Sequence, residues 1–175
     1  MIGSYYTKIY RLEYIIRYSN VPRVHDESVA SHSFFVAAIV LKLHDKYRFN
    51  LGLALQMAIS HDMPEYMTND LSHETKQLFP EIKEVLRKAE HKALLAMPTA
   101  VRDGCKMYSD SNLVEAKIVH LADAMQCNQY ATNEIMLGNK GYMTEVEFKS
   151  ASRICELEEH LKTFERGFAE NDNAE

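Results

Sequence analysis

The sequence predicts an all-α fold from its composition and its periodicity. Only 6 glycines and 4 prolines occur among 175 residues, fewer than turn-rich β proteins contain. Apolar residues recur at helical spacing in several segments, and no segment alternates convincingly with the period of a strand. With 46% hydrophobic and 26% charged residues, the chain has an ordinary globular composition. We expect one helical domain over residues 1–168 and an acidic tail over residues 169–175 that frays.

Capping residues and helical periodicity place the elements of the first half of the chain. The expected elements are a helix from Ser4 to Tyr18, a loop over 20–26, a helix from Glu27 to Tyr47, a helix from Leu51 to His61 capped by Asn50, a helical turn near Pro64 and a polar loop over 68–75.

The second half predicts three further helices. Pro80 is expected to open the first of them, because its missing N–H costs nothing in a first turn. The apolar stripe of that helix comprises Ile82, Val85, Leu86, Ala89, Ala93 and Met97. The other two are a helix capped by Asp110 or Ser111 that runs to Leu137 and stops at Gly138, and a helix opened by a Thr144–Glu147 capping box that runs to Phe168.

Charge, cysteine content and hydropathy disfavour several functional classes. A net charge of -5 argues against binding to nucleic-acid polymers, which normally requires a basic surface. The 3 cysteines form no CxxC motif, and a scattered, odd number suits a reducing compartment. The N-terminus does not resemble a signal peptide, and the longest apolar run, Phe34 to Leu41, is far shorter than the roughly 20 residues of a membrane helix. We therefore expect a soluble cytoplasmic protein without membrane partners.

Two acidic residues occupy positions where a carboxylate needs a positive partner. Asp62 follows His61 at the end of an apolar helix, where its charge opposes the helix dipole. Asp123 lies mid-helix with Val119 and Cys127 four residues away on either side, which places it on an apolar face. A buried carboxylate is unfavourable unless it is paired or bound to a metal. Taken singly, each could be neutralised by an arginine or a lysine.

His32 lies among apolar residues on the second helix and adds a further ligand to this set. Together, His32, His61, Asp62 and Asp123 offer two imidazoles and two carboxylates, which suit Mn, Co, Zn or Fe and leave positions open for water and substrate. Glu65 projects from the same face as His61 and is placed to orient or deprotonate a metal-bound water.

The order H…HD…D resembles that of the HD-domain phosphohydrolases, and three longer stretches resemble the YfbR-like 5'-deoxynucleotidases. The stretches are Arg11-Leu12 with Arg17-Tyr18 and Val29-Ala30-Ser31-His32-Ser33, then His61-Asp62-Met63-Pro64-Glu65-Tyr66-Met67-Thr68-Asn69-Asp70-Leu71, then Ala122-Asp123-Ala124. The short chain also resembles the dATP triphosphohydrolases of phages that replace adenine by 2-aminoadenine in their DNA.

The resemblance implies an HD-domain helical bundle and a role for each matching residue. It implies the metal ligands His32, His61, Asp62 and Asp123, of which all but His61 also contact substrate, Glu65 as water activator, Asp70 as a catalytic or sugar-contacting residue, Arg17 and Tyr18 as nucleotide contacts, and Asp70-Leu71-Ser72-His73 as substrate loop. It also implies a homo-oligomer, a dimer or a hexamer. The chain departs from the family at Tyr18, where a tryptophan is usual, at Asn69, where a glycine is usual, and at Ser72-His73, where Pro-Thr is usual.

Recognition of phosphates and base can be assigned to residues near the two loops. Arg17 and Lys76 are expected to contact phosphate, unless Arg17 instead pairs with Glu13 on the same helix. Tyr18 is expected to stack on the base, and Asn20 or Val21 to pack against the C2 position that distinguishes adenine from guanine and 2-aminoadenine.

The expected activity is metal-dependent removal of the 5' phosphate or phosphates of a deoxynucleotide. We expect dATP to yield deoxyadenosine and triphosphate, with dADP and dAMP also accepted, so that the dATP pool is depleted. The cofactor is expected to be one divalent transition metal (Co, Mn or Zn), with Mg on the substrate phosphates as an addition. One alternative is a broad 5'-deoxynucleotidase acting on monophosphates. Another is a non-catalytic HD module that binds nucleotide or a partner.

Overall fold

The computed structural model describes residues 2–165, apart from the side chains of residues 2, 3, 73 and 74. Within this range every secondary-structure element is a helix, apart from isolated β-bridges. In chain order these are α1 (Ile2–Tyr10), a 3-10 helix (Arg11–Tyr14), α2 (Val29–Lys46), α3 (Leu51–Ser60), α4 (Glu65–Thr68), α5 (His73–Leu78), α6 (Pro80–Leu95), α7 (Thr99–Tyr108), α8 (Val114–Met136), α9 (Gly141–Leu161) and a second 3-10 helix (Lys162–Phe164). The predicted all-α fold is confirmed.

Helix α8 is the centre of the fold and packs against α2, α3, α7 and α9. The main core lies between these helices, with Val36 from α2, Met57 from α3, Leu121 from α8 and Leu161 from α9 fully buried. A second core joins the N-terminal segment to α4, α6 and α7. None of the described helices is both long and apolar enough to cross a membrane.

The predicted first helix is wrong beyond Tyr14. Ile15 is extended, and Ile16 forms an antiparallel bridge with Ser28. The backbone N–H of Val29 donates to the carbonyl of Ile15 at 2.9 Å, and that of Arg17 donates to the carbonyl of Glu27 at 2.9 Å. Because Ile15 is buried in this extended conformation, its helical spacing from Leu12 in the sequence was misleading.

The start of α2 is also displaced from its predicted position at Glu27. The Ser28 side chain accepts from the N–H of Ser31, and the Ser31 side chain accepts from the N–H of Ser28, so α2 begins at Val29 with a reciprocal cap. Glu27 lies before the cap and is free to pair with Arg17. Asn50 caps α3 as predicted, and α3 ends at Ser60, one residue before the expected end.

Two helices were not predicted. Helix α5 begins inside the expected loop over 68–75, where the Ser72 side chain accepts from the N–H of Thr75. Helix α7 contains Gly104, which lowers helix propensity but is needed for packing, since a Cβ there would lie 2.1 Å from the Ser60 Oγ of α3.

Pro80 opens α6 and Gly138, with φ of 101°, follows the end of α8, as predicted. The predicted stripe of α6 is only partly buried, since Val85 is 65% exposed and Ala93 is fully buried. Met97 lies beyond the end of the helix, and Phe168 and the tail lie outside the described residues.

Two predicted N-terminal caps are wrong. No side chain caps α8; Asp110 instead accepts from the N–H of Asn112. Helix α9 begins at Gly141, before the expected capping box, and Thr144 donates to a backbone carbonyl within the first turn while Glu147 accepts from Thr132 of α8.

Candidate metal centre and substrate cavity

Two histidines present unpaired nitrogen atoms to one point. His32 projects from α2, His61 follows the last residue of α3, and the Nε2 atoms of both are buried without a hydrogen-bond partner. The Nδ1 of His61 lies 2.9 Å from the carbonyl oxygen of Ala58, and the Nδ1 of His32 lies 2.6 Å from Oε1 of Gln126. Because the carbonyl oxygen of Ala58 only accepts, we assign the proton of the neutral His61 imidazole to Nδ1. The Nε2 of His61 then offers its lone pair to a metal ion, and the buried Nε2 of His32 faces the same point.

Two carboxylates complete the set. An Asp62 oxygen lies 3.2 Å from Nε2 of His61 and 3.5 Å from that of His32, and an Asp123 oxygen lies 3.2 Å from Nε2 of His32. One ligand atom from each of His32, His61 and Asp123 lies within 4.8 Å of the others. The structure thus brings all four predicted ligands together. Two nitrogen and two oxygen donors fit a divalent first-row metal. Among the described residues, no basic side chain lies between the four ligands, so a cation bound there would contact all of them.

The electrostatics of the set also favour a bound cation. Burial opposes the charge of His61, but the carboxylates of Asp62 and Asp123 outweigh it and raise the pKa of His61 to about 9. Burial likewise opposes ionisation of both aspartates, but the imidazoles hold the pKa of Asp62 and of Asp123 well below the usual range. The site therefore holds two carboxylates and attracts a proton where a metal ion could bind.

A buried polar network supports His32 from behind. Gln126, on α8, places its Oε1 against Nδ1 of His32 and accepts from Nη1 of Arg17 at 3.1 Å, while its Nε2 donates to Glu27. Arg17 also contacts Nδ1 of His32, pairs with Glu27 at 3.1 Å and donates to Sγ of Cys127 at 3.3 Å. The alternative pairing of Arg17 with Glu13 does not form, because Glu13 accepts from Ser28.

Glu65 opens α4 three residues after Asp62 and faces the same space. Burial, together with the negative charges of Asp62 and Asp70, raises the pKa of Glu65 to about 9. A positive ion among the ligands would oppose these charges and lower that pKa, which is the condition under which Glu65 can accept a proton from water.

The metal-ligand set opens into a cavity of about 570 Å³. Ten of the predicted site residues line it: Arg17, Tyr18, Asn20, Asp62, Glu65, Asp70, Leu71, Ser72, Lys76 and Asp123. Val21 instead packs beside Tyr130 and Met143, outside the lining, so of the two candidates for base selection only Asn20 borders the cavity. The side chain of His73 lies outside the described part of the chain.

Two residues that depart from the family pattern, Tyr18 and Asn69, have a positive φ. Asn69, where the family has glycine, ends α4 with φ of 60° and ψ of 168°, a backbone conformation that glycine adopts far more readily than a residue with a side chain. Tyr18 also has a positive φ, of 55°, and its ring stacks on that of Tyr130 at 5.2 Å with an interplanar angle of 3°. One face of Tyr18 is therefore already covered by protein.

The loop that follows Tyr18 is held by residues that the sequence analysis did not single out. The buried carboxylate of Glu134 accepts from the backbone N–H groups of Val24 and His25, both at 2.7 Å. Asn139 donates to Glu134 and to the carbonyl of Pro22, and Tyr130 donates to the carbonyl of His25 at 2.7 Å. These long-range contacts left no local signal in the sequence.

The wall formed by α9 was missed as well. The cavity that Asp70 and Lys76 line is also lined by His120 of α8 and by five residues of α9: Tyr142, Val146, Lys149, Ser150 and Arg153. Their spacing of three to four residues places them on one helical face, a signal that the sequence contains but that points to no particular neighbour.

Comparison with known proteins identifies the family to which the chain is similar. A family model described as 5'-deoxynucleotidase YfbR-like matches residues 4–171. A 5'-deoxynucleotidase of Erwinia tasmaniensis is 30% identical over 159 residues, which cover 82% of this chain and 80% of that protein. A 5'-deoxynucleotidase of Pasteurella multocida is 29% identical over 176 residues, which cover 93% of this chain and 86% of that protein.

Solved structures show the same architecture. A protein of Pyrococcus horikoshii superposes with a TM-score of 0.78 at 26% identity, covering 93% of this chain and 95% of that one. An HD-domain phosphohydrolase of Listeria innocua superposes with a TM-score of 0.76 at 23% identity, covering 90% of this chain and 82% of that one, a likeness that concerns the fold. With the family match across most of its length, the chain belongs to the YfbR-like 5'-deoxynucleotidase family, a family of hydrolases with the HD-domain phosphohydrolase fold.

Proposed function

We propose that the protein is a metal-dependent hydrolase that removes the 5' phosphate or phosphates of deoxynucleotides, with dATP as favoured substrate. The observation that carries this proposal is the pair of orphaned Nε2 atoms of His32 and His61, which face two carboxylates at the wall of a nucleotide-sized cavity. The names of the related 5'-deoxynucleotidases support the substrate class.

His32, His61, Asp62 and Asp123 would hold one divalent ion, Co, Mn or Zn, and Mg would accompany the substrate phosphates. Such an ion lowers the pKa of a bound water and offsets charge on a phosphate oxygen. Glu65, which lines the cavity with Asp62, would orient the attacking water and take its proton, so that the water oxygen could bond to the α-phosphorus as the bond from phosphorus to the 5' oxygen breaks. The leaving 5' oxygen takes up a proton to become the nucleoside hydroxyl.

The cations at the cavity wall have complementary roles in this reaction. Lys76, which lines the cavity beside the loop from Asp70 to Ser72, is placed to offset negative charge on the substrate phosphates. Arg17 reaches the cavity edge with 13% of its side chain exposed, and it otherwise supports the network behind His32. Asp70 and Leu71 would meet the sugar, and Asn20 would meet the base edge.

Attack at the α-phosphorus accommodates mono-, di- and triphosphates, so a second candidate function is a broad 5'-deoxynucleotidase that acts on dNMPs. The names of the relatives favour it. Adenine selection would require an exclusion of the 2-amino group carried by guanine and 2-aminoadenine, because stacking alone accepts any base. We also propose a cytoplasmic homo-oligomer, dimer or hexamer, supported by the exposed apolar side chains of Phe34, Phe35 and Leu41 along α2.

The decisive experiment is a hydrolysis panel. Purified protein is incubated with each dNTP and each dNMP in the presence of Co, Mn, Zn or Mg, and the products are identified chromatographically. Release of deoxyadenosine and triphosphate from dATP, with lower kcat/KM for dGTP and for the 2-aminoadenine analogue, supports the proposal. Equal kcat/KM for the three triphosphates contradicts adenine selection, and exclusive turnover of monophosphates favours the second candidate. The His61→Ala variant is the control for a contaminating phosphatase and should be inactive.

A further inference from the structure

The α9 wall of the cavity changes from apolar to basic along the helix. Tyr142 and Val146 lie in its first two turns, Lys149 and Ser150 follow, and Arg153 comes next, all lining the same cavity as the metal-ligand set. From Tyr142 to Arg153 the helix rises about 16 Å, at about 1.5 Å per residue. An extended nucleoside triphosphate can follow a groove of that length.

Neighbouring residues show where the apolar and basic ends of this wall lie relative to the metal-ligand set. At the apolar end, Tyr142 and Val146 pack against the same small cluster as Tyr18, which borders the nucleoside part of the proposed site. At the basic end, Arg153 lies near His120 of α8: burial lowers the pKa of His120, and the positive charge of Arg153 contributes to that lowering. His120 is three residues before the ligand Asp123. The basic end therefore lies on the far side of the metal centre from Tyr18.

Each of the two cations pairs with a glutamate on its own helix. Lys149 contacts Glu145 at 2.5 Å and Arg153 contacts Glu156 at 3.1 Å, and all four side chains are more than half exposed. Exposed pairs of this kind contribute little to stability, so an incoming phosphate can replace either glutamate. Since the chain has a net charge of -5, a polyphosphate also requires such local cations.

We propose that Lys149 and Arg153 form, with Lys76 of the same cavity lining, the subsite for the phosphates beyond the α-phosphate, and so make the enzyme prefer tri- over monophosphates. This rests on the proposed function, which places the α-phosphate at the metal centre and the base near Tyr18. Arg153 offers a planar pair of donors to two oxygens of one phosphate, and Lys149 offers a point charge between neighbouring phosphates.

The test compares two double variants with the same change of charge. In Lys149→Ala/Arg153→Ala the proposed subsite is removed. In Arg87→Ala/Lys88→Ala, the matched control, two exposed cations are removed from α6, where both contact Glu84 outside the cavity lining. For each protein, kcat/KM is measured for dATP and dAMP at one ionic strength, because salt screens these charges. Binding of inorganic tripolyphosphate to the protein as purified is measured by calorimetry.

We expect the ratio of kcat/KM for dATP over dAMP to fall by about tenfold or more in Lys149→Ala/Arg153→Ala, the effect of losing at least one hydrogen bond between charged groups. We expect tripolyphosphate to bind correspondingly more weakly. If both quantities match those of the α6 control, the subsite is refuted. If wild-type protein hydrolyses no nucleotide, the proposed function fails, and tripolyphosphate binding still decides whether the subsite exists.

Discussion

Gln126 connects the buried pair of Arg17 and Glu27 to a predicted metal ligand, and its replacement by leucine tests how the centre is supported. Its Oε1 lies 2.6 Å from Nδ1 of His32 and accepts from Arg17 at 3.1 Å, and its Nε2 donates to Glu27. Gln126 is only 5% exposed and His32 is fully buried. Solvent therefore has little access with which to take over these bonds.

The Gln126→Leu variant should lose metal affinity and stability together. Removing the acceptor that orients a ligand histidine weakens metal binding by about 10- to 100-fold. The partners left buried without a hydrogen bond destabilise the fold by about 1–3 kcal/mol each. Because Arg17 and Glu27 keep their own 3.1 Å pair and Arg17 still contacts Nδ1 of His32, a total loss of about 1–3 kcal/mol in the free energy of unfolding is expected. A domain with a free energy of unfolding of about 5–15 kcal/mol should still fold.

Metal affinity is measured by competition with a chelator, and stability by urea unfolding of the metal-free protein. Gln129→Leu is the matched control, since Gln129 is exposed on the same helix and its side chain donates to Asn133. Gln126→Glu retains an oxygen for His32 but replaces the donor to Glu27, so it should recover metal affinity more than stability. Equal metal affinity in Gln126→Leu and Gln129→Leu, or an equal loss in Gln126→Leu and Gln126→Glu, would refute the orienting role.

Three further predictions concern the role of Glu65 in activating water, the proton on His61 and the loop that contains Asn20. Glu65→Gln should retain metal, measured by elemental analysis, and lose about 10²- to 10⁴-fold in kcat; loss of the metal instead would make Glu65 a ligand. Metal affinity should rise between pH 7 and pH 9, because the pKa of about 9 keeps His61 protonated in the metal-free site and the ion must displace that proton, and calorimetry in buffers of different ionisation enthalpy should detect its release. The same raised pKa stabilises the metal-free fold below about pH 6.5, a contribution lost as the pH rises through 9, so metal-free but not metal-loaded protein should lose stability over that range. Glu134→Gln should raise KM for nucleotide more than it lowers kcat, since it loosens the loop of Asn20, and an unchanged KM with only a lower Tm would indicate a purely structural role.

Three of the four metal-ligand candidates could be predicted because each is chemically out of place in its own segment. Asp123 and His32 interrupt apolar helical faces, and Asp62 opposes a helix dipole, so the local sequence already requires an unusual partner. The structure brings these residues together, and their role as ligands stays a prediction until the metal is measured.

The path of the chain between α1 and α2 could not be predicted, because it depends on contacts between distant residues. Helical spacing continues through Ile15 and Ile16, yet the chain there is extended and pairs with residues 27–29. That extended turn directs Arg17 towards Gln126 of α8, a residue 109 positions later in the sequence. A periodicity argument weighs neighbours within one turn and cannot contain such a partner.

The chemistry of the metal-ligand set predicts that metal binding stabilises the fold. The Nε2 atoms of His32 and His61 are buried without a hydrogen-bond partner. The imidazoles keep the pKa of Asp62 and of Asp123 low, so both carboxylates are charged at neutral pH and available to a cation. A divalent cation would give these groups a common partner and would bind the folded protein better than the unfolded chain. Metal binding should therefore stabilise the protein as well as activate it. A rise in Tm on adding Co, Mn or Zn that disappears in Asp123→Ala would demonstrate the stabilisation without any assay of turnover.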